Sequence, residues 1–277
     1  MKIAVCFSGQ IRTGHLVAPN ILRYIGDLLP SCDFFVHTWD EECIGTGQSR
    51  RLQLKDTSAE VHTTKPLTNK EKISKFYNYY NPKTMLVEEY GLQPTKPLWG
   101  GRRFDPSTNR WYVSMWRSIY EANELKKKYA ENKSIAYDVT VRIRPDLVFH
   151  PDKSLDLDIK QITDDNMFLS GDQYDLWCNH GDRKLEDIYW LGPSRVMDMM
   201  STYCFAYTEM VKNIDDPQDP EYRDWQFHSA WWARQCLGFE FRPLKDNRMR
   251  IYYDIDLDKS IDYMSPNFDI DQYNPRG

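Results

Sequence analysis

The chain has 277 residues and a formal net charge of −5, so it can bury one large core, and its charge gives no electrostatic reason to expect nucleic acid as a partner. No window approaches eighteen consecutive apolar residues, which excludes a transmembrane segment. The amino terminus lacks the basic start and cleavage site of a signal peptide, so the sequence predicts a soluble, cytoplasmic protein. The sequence does not indicate an oligomeric state.

The first forty residues predict a strand, a helix and a second strand. Ile3 to Phe7 form a short continuous apolar run, which is typical of a buried strand. A helix is predicted over about 18–29, where apolar residues recur at helical spacing up to Pro30. A second strand follows at 32–38. This order within forty residues indicates a parallel sheet.

The rest of the chain continues the alternation of strands and helices. Polar or proline-rich stretches at 41–66 and 92–109 predict loops. Alternating apolar and polar residues predict a strand over 137–148, with regular pairing ending at Pro145. Further elements are predicted as strands at 83–88, 167–170 and 188–191 and as helices at 112–132, 193–211 and 226–237. The fold class is therefore α/β, with a mostly parallel central sheet flanked by helices in a single domain.

Three polar segments each lie at the C-terminal end of a predicted strand, at the sheet edge where open α/β proteins bind ligands. The first is Ser8-Gly9-Gln10 with Arg12, where Gly9 permits close approach of a ligand. Helix-terminal N–H groups and Arg12 can hold a phosphate or a nucleobase. The segment is neither a Walker loop nor a G-x-G-x-x-G motif, and an ordinary strand-to-helix turn explains it equally well.

The second segment is His37-Thr38-Trp39-Asp40 at the end of the second strand. These side chains suit a site that stacks on a ring and forms hydrogen bonds with it. Taken alone, the pattern favours a capped loop with Trp39 in the core. Because adjacent parallel strands end together, we expect this segment to lie across from Ser8, Gly9, Gln10 and Arg12 in one nucleotide pocket.

The third segment contains Arg142, Arg144 and Asp146. By period two, both arginines share one face of a strand whose other face is apolar. Two cations on a mainly buried sheet need an anion nearby. Asp146 supplies part of that charge, and a diphosphate would supply more. The alternative is an internal ion-pair network. We expect both arginines to point toward a bound diphosphate, or toward Asp146 when the site is empty.

Candidates for a general base lie later in the chain. Asp187 comes first because it precedes a short predicted strand, and His228 comes second. Other polar residues in the same stretches are Asp172, Asp175, Asp182, Glu186 and Gln226. Most acidic residues in such loops are simply solvated.

Together these segments resemble GT-A-type glycosyltransferases found in viruses, phages and bacterial surface-polysaccharide clusters. The resemblance also includes the helix from Ser114 to Leu125 and the Glu186-Asp187-Ile188-Tyr189-Trp190-Leu191-Gly192 segment. It implies transfer of a hexosyl or pentosyl group from a nucleotide-sugar donor to a glycan or other hydroxyl acceptor. It also implies one domain over 1–253, with a nucleotide-binding part at about 1–150 and an acceptor-side part at about 151–253. A carboxy-terminal tail over 254–277 is expected to pack on the surface.

Metal dependence is left open by one departure from the family pattern. GT-A enzymes usually carry Asp-x-Asp, where a divalent cation bridges the carboxylate and the donor diphosphate, and here Arg144 replaces the first aspartate. Asp146 is then the candidate ligand for Mn²⁺ or Mg²⁺, or else Arg142 and Arg144 stabilise the diphosphate directly. The six scattered cysteines form no Cys-x-x-Cys pair, so a zinc site has little support.

Two other functions compete with glycosyl transfer. A sugar-nucleotide-forming nucleotidyltransferase would show a glycine-rich, basic loop after the first strand, which Ser8-Gly9-Gln10 fits poorly. A non-catalytic nucleotide- or carbohydrate-binding module is the second alternative, since the altered motif is the one that an inactive enzyme would lose.

Overall fold

The structure is a computed structural model that describes residues 1–40, 67–89, 110–171, 185, 188–212, 229–243 and 249–251. The predicted loops at 41–66 and 92–109 lie outside these ranges. The same is true of the predicted tail at 254–277.

The described elements are as follows. The strands are β1 Ile3–Ser8, β2 Cys32–Trp39, β3 Thr84–Glu88, β4 Val139–Ile143, β5 Leu147–Phe149, β6 Met167–Gly171, β7 Tyr189–Pro193, β8 Glu240–Pro243 and β9 Met249–Ile251. The α-helices are α1 Gly14–Ile25, α2 Asn69–Tyr80, α3 Arg110–Lys133, α4 Leu155–Ile159, α5 Ser194–Ser201 and α6 Tyr203–Lys212. A 3₁₀ helix covers Gly26–Ser31, and a π-helical turn covers Trp232–Cys236.

Seven of these strands form the central sheet, in the order β3-β2-β1-β4-β7-β6-β8. The first four run parallel to one another. β7 runs antiparallel to both of its neighbours, and β6 pairs with β8 in parallel. β5 and β9 form a separate antiparallel pair. The molecule is thus a single α/β domain with a mostly parallel sheet flanked by helices, a GT-A-like, Rossmann-type arrangement that confirms the predicted fold class.

The central strands are covered on both faces, which explains the continuous apolar sequence of β1. On one face, Val5 and Phe7 pack in a cluster with residues of α1 and α2 such as Ile21 and Phe76. On the other face, Ala4, Cys6 and Phe35 pack with Ala122 of α3. No helix in the described part of the chain is both long enough and apolar enough to cross a membrane.

The start of α1 differs from the prediction by four residues, and the cause is a tertiary contact. A Cβ placed on Gly14 would lie 2.9 Å from the Pro145 carbonyl oxygen. The absence of a side chain therefore lets α1 begin directly against the turn after β4. Pro19 lies within the helix, where the sequence suggested its start.

Two other predicted helices are also revised. The helix predicted over 193–211 is divided at Thr202 into α5 and α6. The one predicted over 226–237 is described from 229 onward, and its helical residues pass into the π-helical turn.

Candidate functional site

The structure brings the three polar segments to one edge of the sheet. β1 and β2 are parallel, with Ser8 opposite His37, and the Gly9 N–H donates to the His37 carbonyl at 3.2 Å. β4 lies on the other side of β1, with Ile143 opposite Phe7. The carboxyl ends of the three strands therefore meet, as the topology of an open α/β sheet requires for a ligand crevice.

Four side chains at this edge form a connected group, which we call the Arg–Asp cluster: Gln10, Arg12, Arg144 and Asp146. Arg144 binds Asp146 with two nitrogens, Nε to Oδ1 at 2.8 Å and Nη2 to Oδ2 at 2.9 Å. Arg12 Nη1 approaches the same Oδ2 at 3.4 Å, and its Nε donates to Gln10 Oε1 at 3.1 Å. Both oxygens of the carboxylate thus accept from a guanidinium.

Burial differs within the Arg–Asp cluster. The Asp146 side chain is 1% exposed, whereas the side chains of Arg12 and Arg144 are 27% and 18% exposed. Burial alone would raise the pKa of the Asp146 carboxyl, but the charges and hydrogen bonds of Arg144 and the charge of Arg12 outweigh it and lower the pKa below its usual value. Asp146 is therefore a fixed negative charge that orients two partly exposed cations.

The backbone of the first turn is unusual where it carries this cluster. Arg12 has a φ of 43° and Gly9 a φ of 118°. Glycine adopts such angles readily, but for arginine the left-handed region is uncommon and costs free energy. Left-handed non-glycine residues cluster at functional sites, where the surrounding structure maintains them. The conformation of Arg12 therefore marks this turn as a candidate binding element.

Arg142 lies differently from Arg144. Its Nε donates to Ser8 Oγ at 2.8 Å, and its guanidinium carbon lies 5.7 Å from the centre of the Trp190 ring. β4 ends at Ile143, so Arg142 is on the sheet face while Arg144 is already in the turn. We expected both Arg142 and Arg144 to turn toward Asp146, and only Arg144 does so. The second cation at Asp146 is Arg12. Arg142 instead joins the ends of β1 and β4 through Ser8.

His37 belongs to a second group at the same edge, which we call the His37 network: His37, Glu88, Arg117 and Ser118. His37 Nδ1 lies 2.8 Å from Ser118 Oγ, and Nε2 lies 3.1 Å from Glu88 Oε2. A carboxylate only accepts, so Nε2 carries the donated proton. Arg117 Nη2 donates to the other Glu88 oxygen at 2.7 Å. The network joins β2 and β3 to α3.

Trp39 and Asp40 complete the end of β2. The Trp39 ring is buried and meets the His37 ring edge-on, with centroids 4.9 Å apart. Asp40 is exposed, and its N–H donates to the Glu88 carbonyl at 2.8 Å. Asn69 Nδ2 donates to the carbonyls of both residues, which ties β2 to the first residue of α2. Direct contact of His37, Trp39 and Asp40 with a nucleotide stays a prediction.

Glu88, Arg117 and Ser118 were not among the candidates from the sequence. Glu88 is the last residue of a short strand, and Arg117 and Ser118 lie in the middle of α3. Nothing local distinguishes Arg117 and Ser118, because the role of all three residues depends on β3 pairing with β2 and on α3 packing against β2. The polar character of Glu88 at a strand end was the one available signal.

The proposed catalytic residues Asp187 and His228 lie outside the described residues, as do Asp172, Asp175, Asp182, Glu186 and Gln226. The residue that follows Asp187 is described: the Ile188 carbonyl accepts from the Arg144 N–H at 3.0 Å. Because β7 is antiparallel to β4, its first residues are at the edge where β4 ends. Ile188 therefore contacts the backbone of Arg144, a member of the Arg–Asp cluster.

The polar side chains at this edge of the sheet suit an anion and not a metal cation. Within the described ranges, no three His, Cys, Asp or Glu side chains come together as a group that could hold a metal ion. The carboxylate oxygens of Asp146 already accept from Arg144 and Arg12. Guanidinium groups pair with phosphate and carboxylate, so the described residues do not fit a divalent cation.

No protein-family model matches the chain, and no curated protein matches it. Among solved structures, the apo form of the glycosyltransferase GlyE from Streptococcus pneumoniae TIGR4 is similar, with a TM-score of 0.38 and 8% sequence identity. The match covers 87% of this chain and 44% of that one, so this chain spans less than half of GlyE. This likeness carries no argument about activity, because function depends on the residues of the site and not on the fold.

Proposed function

We propose that the protein is a glycosyltransferase that moves a sugar from a nucleoside-diphosphate sugar to a hydroxyl group of a glycan or another acceptor. The observation that supports this proposal is the Arg–Asp cluster at the carboxyl edge of β1, β2 and β4. A buried carboxylate there orients two partly exposed guanidiniums. This arrangement suits a phosphorylated ligand in the crevice of an α/β sheet.

The charge of the site favours a diphosphate. Arg12, Arg142 and Arg144 outnumber Asp146, so these four side chains together carry a net positive charge. A nucleoside-diphosphate sugar brings negative charge on both phosphates, and Arg12 and Arg144 are partly exposed at this edge of the sheet. Arginine also matches phosphate geometry through parallel N–H donors. The nucleoside would then extend over the Ser8-Gly9-Gln10 turn toward Asp40.

The fixed cations would also act on the reaction itself. As the bond between the sugar carbon and the phosphate oxygen breaks, negative charge grows on the leaving diphosphate. Guanidiniums that are already oriented by Asp146 stabilise that developing charge more than the ground state. They need little reorganisation at the moment of reaction, because Asp146 holds Arg144 through two hydrogen bonds.

The acceptor hydroxyl requires a base, and we propose Asp187 for this role with His228 as the alternative. The acceptor oxygen forms a bond to the sugar carbon, its proton passes to the base, and the nucleoside diphosphate leaves with the bonding electrons. The hydrogen bond from the Arg144 N–H to the Ile188 carbonyl supports Asp187 as the base, because Asp187 directly precedes Ile188 in the chain. Asp187→Asn should lower turnover about a hundredfold and leave nucleotide affinity unchanged, with His228→Gln as the comparison variant.

Calorimetry with the Arg144→Ala variant tests the diphosphate site. The ligands are UDP, GDP and TDP and their monophosphates. We expect affinity for the diphosphate that binds best to fall on the order of tenfold or more, and affinity for its monophosphate to fall less. Arg242→Ala is the matched control, because Arg242 is an exposed arginine of β8 paired with Glu240.

Several outcomes would contradict the proposal. Equal loss of mono- and diphosphate binding, together with a lower melting temperature, would make Arg144 a structural residue. Incubation with UDP-, GDP- and TDP-sugars separates the competing functions. Slow hydrolysis of the donor supports a glycosyltransferase, release of pyrophosphate indicates a nucleotidyltransferase, and binding without turnover indicates a non-catalytic module.

A further inference from the structure

The carboxylate of Asp146 is surrounded by positive charge. Oδ1 accepts from Arg144 Nε, and Oδ2 accepts from Arg144 Nη2 and lies near Arg12 Nη1. The side chain is also almost completely buried. The same carboxylate is the candidate that sequence reasoning offered for Mn²⁺ or Mg²⁺.

A divalent cation would have to take the oxygens that the arginines occupy. Mg²⁺ binds carboxylate oxygens at about 2 Å in an octahedral shell, which needs room around the oxygen. An ion at that distance would lie beside two guanidiniums that repel it. Moving Arg144 aside would break a two-point, charge-assisted pair next to a buried carboxylate, which is a costly exchange.

A second carboxylate would be needed to make the exchange favourable, whereas the two described side chains that contact the Asp146 carboxylate are both arginines. The position two residues before Asp146 is Arg144 itself, which brings a fixed positive charge to the place of a second acidic ligand. Arg12 adds another cation from the turn after β1. An anion entering this edge meets attractive charge, whereas a cation meets repulsion.

We infer that the site binds the diphosphate without a divalent cation, with Arg12 and Arg144 in its place and Asp146 as their internal counter-ion. The inference rests on the proposed function. Arg12 is the cation that exchanges: its contact with Asp146 is the longest of the cluster at 3.4 Å, and its side chain is more exposed than that of Arg144. On binding, Arg12 turns from Asp146 to a phosphate oxygen, while Arg144 keeps its two-point pair.

The first test uses the unmodified protein. Calorimetry measures the binding of UDP, GDP and TDP in EDTA, and again with added MnCl₂ or MgCl₂. We expect binding in EDTA, with an affinity that the cations leave equal or weaken because they neutralise the phosphates. Binding that requires a cation, or that a cation strengthens on the order of tenfold, would overturn the inference while leaving the proposed diphosphate site intact.

The Asp146→Asn variant gives the complementary result. The asparagine oxygen can still accept from Arg144, and the side chain no longer carries a negative charge that competes with the phosphates for Arg12, so diphosphate affinity in EDTA should be retained or should increase. A cation-dependent site would instead lose its diphosphate binding in this variant. The measurements on the unmodified protein decide the question even if Asp146→Asn does not fold.

A third measurement separates failure of the inference from failure of the proposed function. If none of the diphosphates binds under either condition, the proposed function is wrong. Separately, titration of Mn²⁺ alone, followed by electron paramagnetic resonance, tests whether Asp146 holds a cation, because this measurement needs no nucleotide. Identical spectra of the unmodified protein and Asp146→Asn support the inference, and a bound Mn²⁺ signal that disappears in the variant contradicts it.

Discussion

The Arg–Asp cluster and the His37 network lie at the same edge of the sheet and use the same chemical groups, but they are buried in opposite ways. In the Arg–Asp cluster the carboxylate is enclosed and the cations reach solvent. In the His37 network the carboxylate is the more exposed partner. The Glu88 side chain is 15% exposed, whereas the Arg117 side chain is 8% exposed and His37 is fully buried.

This difference indicates different roles. A partly exposed guanidinium can change its partner at low cost, because water and the incoming ligand replace what it leaves. An enclosed cation that loses its partner stays desolvated and uncompensated. We therefore assign ligand binding to the Arg–Asp cluster, and we assign to the His37 network the support of the strand ends on which that cluster stands.

Glu88→Ala should have the largest effect, and the effect should be on stability. The substitution leaves buried Arg117 and His37 without the carboxylate that joins them, although Arg117 retains Glu121 at 3.7 Å. We expect the free energy of unfolding to fall by about 3 kcal/mol, in the range for breaking a buried ion pair. Urea unfolding followed by circular dichroism measures it.

Asp156→Ala provides the control for Glu88→Ala. Asp156 pairs with Lys160 on the exposed surface of α4, where ion pairs contribute little to stability. Similar small losses in the two variants would mean that the His37 network behaves like a surface pair, and the contrast between the two regions would disappear.

Substitutions of Arg12 should affect binding more than stability. Arg12→Ala and Arg12→Gly both remove the guanidinium, so each should weaken diphosphate binding about tenfold. Only glycine relieves the left-handed backbone at φ 43°, so Arg12→Gly should be about 1 kcal/mol more stable than Arg12→Ala. Calorimetry and urea unfolding measure the two effects. Two variants of equal stability would argue against backbone strain at this position.

Ser118→Ala should give the smallest effect. Ser118 Oγ contacts His37 Nδ1 at 2.8 Å and the His37 carbonyl at 3.3 Å. Its loss should cost about 1 kcal/mol of unfolding free energy, a typical value for a buried hydrogen bond, and should leave diphosphate affinity unchanged. Thr202→Ala, which removes a hydroxyl on the exposed side between α5 and α6, should cost less. A drop in diphosphate affinity would place Ser118 in the binding site.

Much of the fold could be predicted from sequence because the central strands are buried on both faces. The apolar run at Ile3 to Phe7 left few alternatives to a buried strand, and the stripe along 112–132 predicted α3 closely. α2 was missed although Thr68 and Glu71 form a capping box, a signal that the sequence does contain. The start of α1 could not be predicted, since it depends on the contact of Gly14 with Pro145.

The candidate site could be predicted only in part. The position of Ser8 opposite His37 followed from the βαβ order, since adjacent parallel strands end together. The pairing of Arg12 with Asp146 did not, because 134 positions separate the two residues. The His37 network was hidden for the same reason: its members come from β2, β3 and α3 and meet only in the folded sheet.

The long separation of Arg12 and Asp146 has a consequence for how the protein folds. Contacts between distant positions form late, because closing a long loop costs entropy before the contact repays it. β1, α1 and β2 can associate early, since they are neighbours in the chain, whereas Arg12 must wait until β4 joins β1 and brings the turn at Pro145 against Gly14. We therefore expect competence to bind anions to appear as one of the last events of refolding, after most helical structure has formed.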